Sequence, residues 1–248
     1  MFASIAPRLH DLNRLILDFL FPPRCVSCGR WGWLFCPHCA QEVVPAGDQV
    51  CQRCGRNVVG AIDLCPVCQD SAPVALQFTR AAALYGGPLR AAIHALKYEN
   101  LPDLGALLAR YLIVATNTEE WSAVLRTTDA VVPIPLHPAR YAERGYNQSA
   151  LLAAAFAKQK GLAIKPTWLT RQRQTQSQTK LSREERRSNV ANAFRADPQV
   201  RNRRILLVDD VYTTGATMEA CAQALVDAGA KAVYGLALAM PPFQESLP

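Results

Sequence analysis

The sequence has no apolar run of the roughly 18 to 20 residues that a bilayer requires, so we expect no transmembrane helix. The first residues also lack a basic cluster that leads into an uninterrupted apolar stretch and a cleavage site, so no secretory signal is predicted. Both absences favour a cytoplasmic protein, in which cysteine thiols stay reduced.

Length and charge set wider bounds. The 248 residues can form one large or two smaller domains, and half of them are hydrophobic, which is ample for a core. The formal net charge of +7 favours polyanionic partners such as nucleotides or nucleic acid.

Eight of the nine cysteines fall in four Cys-x-x-Cys pairs within residues 25–68. In a reduced compartment such pairs indicate metal ligands, because two pairs complete a tetrahedral Zn²⁺ site. Four thiolates leave no open position for water, so one or two structural zinc ions are expected. We favour sequential pairing, while interleaved pairing and a single occupied site stay open. The candidate ligands are Cys25, Cys28, Cys36, Cys39, Cys51, Cys54, Cys65 and Cys68.

Basic and aromatic residues alternate in the same segment. Such a pattern can hold single-stranded nucleic acid through phosphate contacts and base stacking. In so small a module the aromatic residues can equally be its core, and both interpretations stay open. The residues are Arg24, Arg30, Arg53 and Arg56, with Trp31, Trp33 and Phe35.

Near the C-terminus, residues 205–208 form an apolar run that predicts a buried parallel strand, followed by Asp209 and Asp210. A helix is predicted from Met218, and the turn before it offers backbone N–H groups and hydroxyls that can cradle a phosphate. The two carboxylates are placed to accept hydrogen bonds from sugar hydroxyls or to hold Mg²⁺. Together these features predict a site for a ribose 5′-phosphate. The turn contains Thr213, Thr214, Gly215, Ala216 and Thr217.

This stretch resembles the fingerprint of type I phosphoribosyltransferases, which binds phosphoribosyl pyrophosphate (PRPP). The resemblance implies an α/β fold with a parallel sheet flanked by helices, and PRPP bound with Mg²⁺. It places Asp209 and Asp210 at the ribose 2′- and 3′-hydroxyls, as the candidate catalytic residues, and wraps residues 213–217 around the 5′-phosphate.

Residues 129–134 predict another strand, which runs into a proline-rich turn and then Arg140 and Arg144. We expect a second anion loop at the same edge of the sheet. In type I phosphoribosyltransferases a loop in this place holds the pyrophosphate of PRPP, which makes both arginines candidates for that role. Arg144 could instead pair with Glu143 or with a helix terminus.

Residues 170–189 contain almost nothing apolar and are rich in basic and hydroxyl side chains. This composition is typical of a lid that closes over a polyphosphate or contacts nucleic acid. A solvated loop that touches nothing is the alternative. The candidate residues are Arg171, Arg173, Lys180 and Arg186.

Considered together, the motifs resemble the ComF family over essentially the whole chain. That resemblance implies a role in DNA uptake and natural transformation, in which the protein handles single-stranded DNA beside a helicase. It divides the chain into an amphipathic N-terminal helix (1–22), a double zinc ribbon (23–72) and a phosphoribosyltransferase-like domain (73–248). The motifs are residues 21–25, 96–98, 132–135, 144–148, 171–189 and 209–217.

Three functional hypotheses follow. The first is a PRPP-binding zinc-ribbon protein that binds single-stranded DNA during uptake. The second is a metabolic enzyme that transfers phosphoribose from PRPP to a base or amine, although no residue stands out as its general base. The third is a nucleotide-sensing regulator on the same fold.

Overall fold

A computed structural model describes residues 22–58, 60, 62–70, 74–173 and 193–242. The helix predicted at the N-terminus, and Lys180 and Arg186 of the predicted lid, lie outside these residues. No helix in the described ranges is long and apolar enough to cross a membrane.

A four-stranded parallel sheet in the order β1-β6-β5-β2 forms the centre of the molecule. The runs of β-branched and small apolar residues in its strands suit a sheet that is covered on both faces. A separate antiparallel pair, β3 and β4, adjoins it. The strands are β1 (Leu76–Leu84), β2 (Ala130–Pro133), β3 (Leu169–Arg171), β4 (Phe194–Ala196), β5 (Arg204–Val211) and β6 (Ala232–Met240).

Eight α-helices are described, and the longer ones cover the sheet. The layer of α3, α4, α5 and α7 packs on one face, with Leu206 and Val208 of β5. The layer of α8 packs on the other face, with Ile205 and Leu207. The helices are α1 (Pro37–Gln41), α2 (Pro66–Gln69), α3 (Gly87–Tyr98), α4 (Leu104–Ala115), α5 (Glu119–Thr127), α6 (Pro138–Arg144), α7 (Gln148–Lys160) and α8 (Ala216–Asp227).

The strand β5 is longer than its apolar run predicts. Asp209 and Asp210 lie within the paired part of the strand, since Asp209 is in register with Ala237 and Val211 with Ala239. The carboxylates do not end the strand because neighbouring helices supply partners for both of them. The acid pair therefore sits on rigid backbone.

The anion loop predicted after β2 is also different, because Arg140 and Arg144 lie on the short helix α6. Pro138 occupies its first turn, and His137 Nδ1 accepts a hydrogen bond from the N–H of Ala139 at 3.3 Å. Gly145, at φ 80°, ends the helix. Proline is favoured in a first helical turn, where no intrahelical N–H donor is needed, so a turn rich in proline could begin a helix.

Two cysteine knuckles precede the sheet and share one backbone design. The first knuckle is residues 25–39 and the second knuckle is residues 51–68. In each, the N–H of the first cysteine donates to the carbonyl five residues later, at 2.8 Å in both. A glycine at position five of each, Gly29 or Gly55, adopts positive φ to close the turn. In both, proline opens a short helix, α1 or α2.

The knuckles pack in different places. All four thiols of the second knuckle belong to the large core cluster that includes α8 and one face of the sheet. Three thiols of the first knuckle form a small cluster of their own with Phe35. Between the knuckles, the chain pairs with the outer edge of β1, where Pro45 lies opposite Ala83.

Candidate ribose-phosphate site and zinc clusters

The acid pair lies at the carboxyl end of β5 and both carboxylates are buried. Asp209 Oδ1 accepts hydrogen bonds from Ser149 Oγ and from the N–H of Asp210, each at 2.8 Å. Burial and the neighbouring Asp210 raise the pKa of Asp209 to about 7, although these hydrogen bonds and Lys97 oppose the shift. Asp209 is thus positioned to exchange a proton near neutral pH.

Lys97, at the end of α3, forms an ion pair with Asp210. Burial opposes ionisation of Asp210, but the Lys97 ammonium outweighs it and holds the pKa of that carboxyl below its usual range. Burial also disfavours the ammonium, yet Asp210 raises the pKa of Lys97. No role was predicted for Lys97. Its spacing of four from the buried Ile93 places a charge on an apolar helix face, which is a signal for a buried ion pair.

Residues 213–217 span the turn after β5 and the first two residues of α8, and we call them the phosphate loop. Gly215 is the N-cap of α8 with φ 85°, a conformation that favours glycine. A Cβ at this position would meet Tyr212 Oη at 2.3 Å, so the tyrosine lies directly against the loop backbone. The loop runs into a helix of 12 residues, whose N-terminal N–H groups and dipole favour an anion.

A cavity of about 480 Å³ is lined by Lys97, Arg140 and Arg144 together. Arg140 donates to Glu143 at 2.9 Å, and Arg144 donates to Gln148. Glu143 is thus paired with Arg140, although Arg144 was the partner considered for it. Both arginines still border the cavity. Three cationic side chains around one cavity suit a polyphosphate.

The eight cysteines gather in the two sequential groups, and neither group mixes the knuckles. Within each group the four Sγ atoms lie within 4.8 Å of one another. A tetrahedron with Zn–S bonds of about 2.3 Å has S···S edges of about 3.8 Å. The Cys28–Cys36 and Cys54–Cys65 sulfurs are 3.6 and 3.7 Å apart, so both clusters fit zinc.

Two family models match separate parts of the chain. The family description "Double zinc ribbon domain" matches residues 16–70, and "Phosphoribosyl transferase domain" matches residues 151–242. DNA utilization protein YhgH of Salmonella typhimurium is 34% identical over 197 residues, which cover 74% of this chain and 87% of that protein. The chain belongs to the ComF family.

Other ComF-family relatives show the same extent of similarity. YhgH of Escherichia coli is 31% identical over 84% of this chain and 90% of its own length. Competence protein F of Haemophilus influenzae is 29% identical over 87% of this chain and 97% of its own length. Among solved structures, the glutamine PRPP amidotransferase of B. subtilis shares 18% identity with a TM-score of 0.39, over 64% of this chain and 31% of that chain.

The first knuckle of this ComF-family chain carries an exposed aromatic patch. The side chains of Trp31 and Trp33 are 55% and 51% exposed, so they are not the core of the module. The guanidinium of Arg24 lies 3.7 Å from the centre of the Trp31 ring. Phe35 is partly buried. Arg53 and Arg56 belong to the second knuckle, where Arg53 donates to the carbonyl of Cys68 and Arg56 to the carbonyl of Thr213. We call Arg24, Trp31 and Trp33 the indole patch.

The predicted lid begins beside the acid pair. Burial lowers the pKa of Arg171, while the nearby Cys221 and Asp209 favour its charged form. Its guanidinium also lies 5.5 Å from the ring centre of Phe194. Arg171 is therefore brought to the site, whereas Arg173 ends the described segment.

Proposed function

We propose that this ComF-family protein binds PRPP or a related phosphorylated ribose with Mg²⁺, and that it handles single-stranded DNA during DNA utilization. The observation that carries the ribose half is the buried pair Asp209 and Asp210, locked by Ser149 and Lys97 beside a glycine-capped helix N-terminus. In this proposal the phosphate loop wraps the 5′-phosphate, and Lys97, Arg140 and Arg144 contact the pyrophosphate.

Each group has a distinct task at this site. Asp209 and Asp210 accept hydrogen bonds from the ribose hydroxyls, which orients the sugar and stabilises positive charge on it. The Lys97 ammonium keeps Asp210 ionised, so that this carboxylate remains an acceptor. Mg²⁺, when bound with the pyrophosphate, supplies positive charge that offsets the phosphates, and carboxylate oxygens are ligands it accepts.

Calorimetric titration with PRPP and Mg²⁺ tests the ribose half. Replacing both acids, in Asp209→Asn/Asp210→Asn, should weaken PRPP binding at least about 100-fold, because two charge-assisted hydrogen bonds are lost. Asp227→Asn, which changes an exposed carboxylate at the far end of α8, is the matched control. An acid-pair variant that binds PRPP as tightly as the parent contradicts the proposal.

The DNA half is assigned to the indole patch. Two exposed indoles, one of them stacked with Arg24, provide stacking faces and a phosphate contact, which is the combination that sequence-tolerant single-strand binding requires. Names of the relatives, DNA utilization protein and Competence protein F, support a DNA partner. The net charge of +7 favours it as well.

Fluorescence anisotropy with an oligodeoxythymidine, over a series of salt concentrations, tests this half. Trp31→Ala/Trp33→Ala should weaken binding about tenfold or more, since stacking contributes about 1–3 kcal/mol per base. Trp31→Phe/Trp33→Phe keeps an aromatic face and should restore most of the affinity. Arg24→Met should reduce the slope of affinity against salt, because one phosphate contact is lost. Equal affinity of the alanine and phenylalanine variants would exclude the patch.

A metabolic phosphoribosyltransferase is a second function, favoured by the match of residues 151–242 to the phosphoribosyl transferase domain. In that function the acid pair and the cationic cavity would hold PRPP in the same way, and an acceptor would attack the ribose. Pyrophosphate release from PRPP, measured across a panel of bases and amines, separates the two functions. Pyrophosphate release in the presence of one acceptor supports the enzyme. PRPP binding without pyrophosphate release in the presence of any acceptor supports the binding protein.

A further inference from the structure

Arg56 of the second knuckle reaches the phosphate loop. Its Nη2 donates a hydrogen bond of 2.6 Å to the carbonyl oxygen of Thr213, the first residue of that loop. The two residues are 157 positions apart, so this contact joins the zinc ribbon directly to the candidate phosphate site. No local feature of the sequence around Arg56 points to residue 213.

Tyr212 forms a second connection between the same parts. It is buried in the core cluster that contains the thiols of Cys54 and Cys68. Its hydroxyl lies against Gly215, where a Cβ would be 2.3 Å away. The ring thus fills the space between the second knuckle and the turn of the phosphate loop.

The second knuckle and the segment after it are also held against the sheet domain. The N–H of Thr79 in β1 donates to the carbonyl of Arg53 at 2.8 Å, and Gly55 approaches the carbonyl of Thr79 so closely that a Cβ would lie 2.4 Å from it. After the knuckle, the N–H of Ala75 donates to Glu219 in the first turn of α8 at 2.5 Å. The knuckle is thus held against β1, and the segment that follows it is held against the start of α8.

We propose that the second knuckle sets the conformation of the phosphate loop, with Arg56 as a positioning residue for phosphate binding. This inference rests on the proposed function, because it concerns the same site. Because the peptide is planar and trans, a guanidinium that holds the Thr213 carbonyl on the knuckle side directs the N–H of Thr214 to the opposite side. A preformed loop binds more tightly because less conformational freedom is lost on binding.

The first knuckle supplies a matched control for the experiment. Arg30 occupies the position equivalent to Arg56, since each follows Cys-x-x-Cys-Gly and accepts, through its carbonyl, the N–H of the first cysteine. Arg30 is exposed and is not part of the proposed phosphate site. The full-length, zinc-loaded proteins to compare are the parent, Arg56→Met, Arg56→Lys and Arg30→Met.

Two quantities are measured on each protein. The first is the amide hydrogen exchange of residues 211–217 without ligand, and the second is the affinity for PRPP with Mg²⁺. Arg56→Met should speed exchange in the loop and weaken PRPP binding, each about tenfold, while the melting temperature and zinc content stay near those of the parent. Arg56→Lys should recover part of the loss, and Arg30→Met should change neither quantity.

The outcomes separate this inference from the proposed function. Equal exchange and affinity in Arg56→Met and Arg30→Met overturn it. Faster exchange in Arg56→Met with unchanged PRPP affinity also overturns it, because loop conformation would then not limit binding. If the parent itself does not bind PRPP, the ribose proposal fails, and the exchange rates alone still decide whether Arg56 holds the loop.

Discussion

The first and second knuckles have the same turn, the same glycine conformation and the same proline-opened helix, yet they are surrounded differently. The second knuckle packs its thiols into the main core and contacts both β1 and the phosphate loop. The first keeps its thiols in a separate cluster and exposes two tryptophans. One unit used twice thus gives an internal support and an external surface, and what surrounds each unit decides its role.

The largest contrast should come from removing one zinc ligand. Cys36 and Cys65 are equivalent buried ligands, each followed by proline. Cys65→Ser should lower the melting temperature by about 15 °C, because loss of zinc there disrupts the shared core. Cys36→Ser should lower it by about 5 °C or less, with about one zinc retained per chain. Calorimetry with zinc analysis measures both, and equal losses would contradict the contrast.

A smaller contrast should separate the two turn glycines. Gly29 and Gly55 have φ of 74° and 71°, so an alanine at either position is strained, by about 1–2 kcal/mol. At Gly55 a Cβ would also clash with the carbonyl of Thr79, whereas nothing lies within 4 Å at Gly29. Gly55→Ala should therefore lose about 3–4 kcal/mol of unfolding free energy and Gly29→Ala about 1–2. Urea unfolding measures the difference, and similar values would mean that the second knuckle docks more loosely.

Removing side chains that connect the sheet domain to the two knuckles should give a smaller difference in unfolding free energy. Arg80 donates to the carbonyl of Gln52 at 2.9 Å and pairs with Glu120 at 2.6 Å. Tyr111 donates a hydrogen bond of 3.1 Å to the carbonyl of Ala40, the residue that follows the first knuckle. Arg80→Met should cost about 2 kcal/mol and Tyr111→Phe about 1 kcal/mol in unfolding free energy. The reverse order would show that the first knuckle is the more firmly attached.

A pH titration should isolate the acid pair from both knuckles. Because the folded pKa of Asp209 is about 7 and its ordinary value is 3.8, the folded state holds an extra proton between these values. The stability this gives is lost as the pH rises through 7. Asp210 acts in the opposite direction, but only below about pH 4, where its lowered pKa matters.

We therefore expect the unfolding free energy to fall by about 1–2 kcal/mol from pH 5.5 to 7.5, and Asp209→Asn to flatten this fall. The groups that face Asp209 are Asp210, Lys97, Arg171, Ser149 and Cys221. Of these groups, Asp210, Lys97, Arg171 and Cys221 can ionise, and the ordinary pKa of each lies outside the range from pH 5.5 to 7.5. A fall that persists unchanged in Asp209→Asn would assign the effect to other groups.

The sequence was sufficient where a feature is local. The apolar run before Asp209, the glycine-containing turn after it and the spacing of the cysteines predicted β5, the start of α8 and the two clusters. It was insufficient where a contact is distant in sequence, as for Lys97 with Asp210 and Arg56 with Thr213. The exposure of Trp31 was left open for the same reason, since burial depends on where the whole knuckle docks.

Two elements differ from their prediction, and the local sequence indicated the observed structure for only one of them. The strand β5 continues through its acids although carboxylates are disfavoured in strands, and only partners from α3 and α7 make this possible. The helix α6, in contrast, was readable from Pro138 in its first turn.

The short pairing of residues 44–46 with β1 has a consequence for taking the protein apart. The N–H of Ala46 donates to Ala82 and the N–H of Leu84 donates to Val44, so the segment between the knuckles covers an otherwise open strand. A fragment that begins at residue 73 would present that strand bare, with its donors and acceptors available to other copies. Such a fragment should form soluble aggregates or higher oligomers on gel filtration. The zinc-ribbon segment would then prevent edge-to-edge association of the remaining domain.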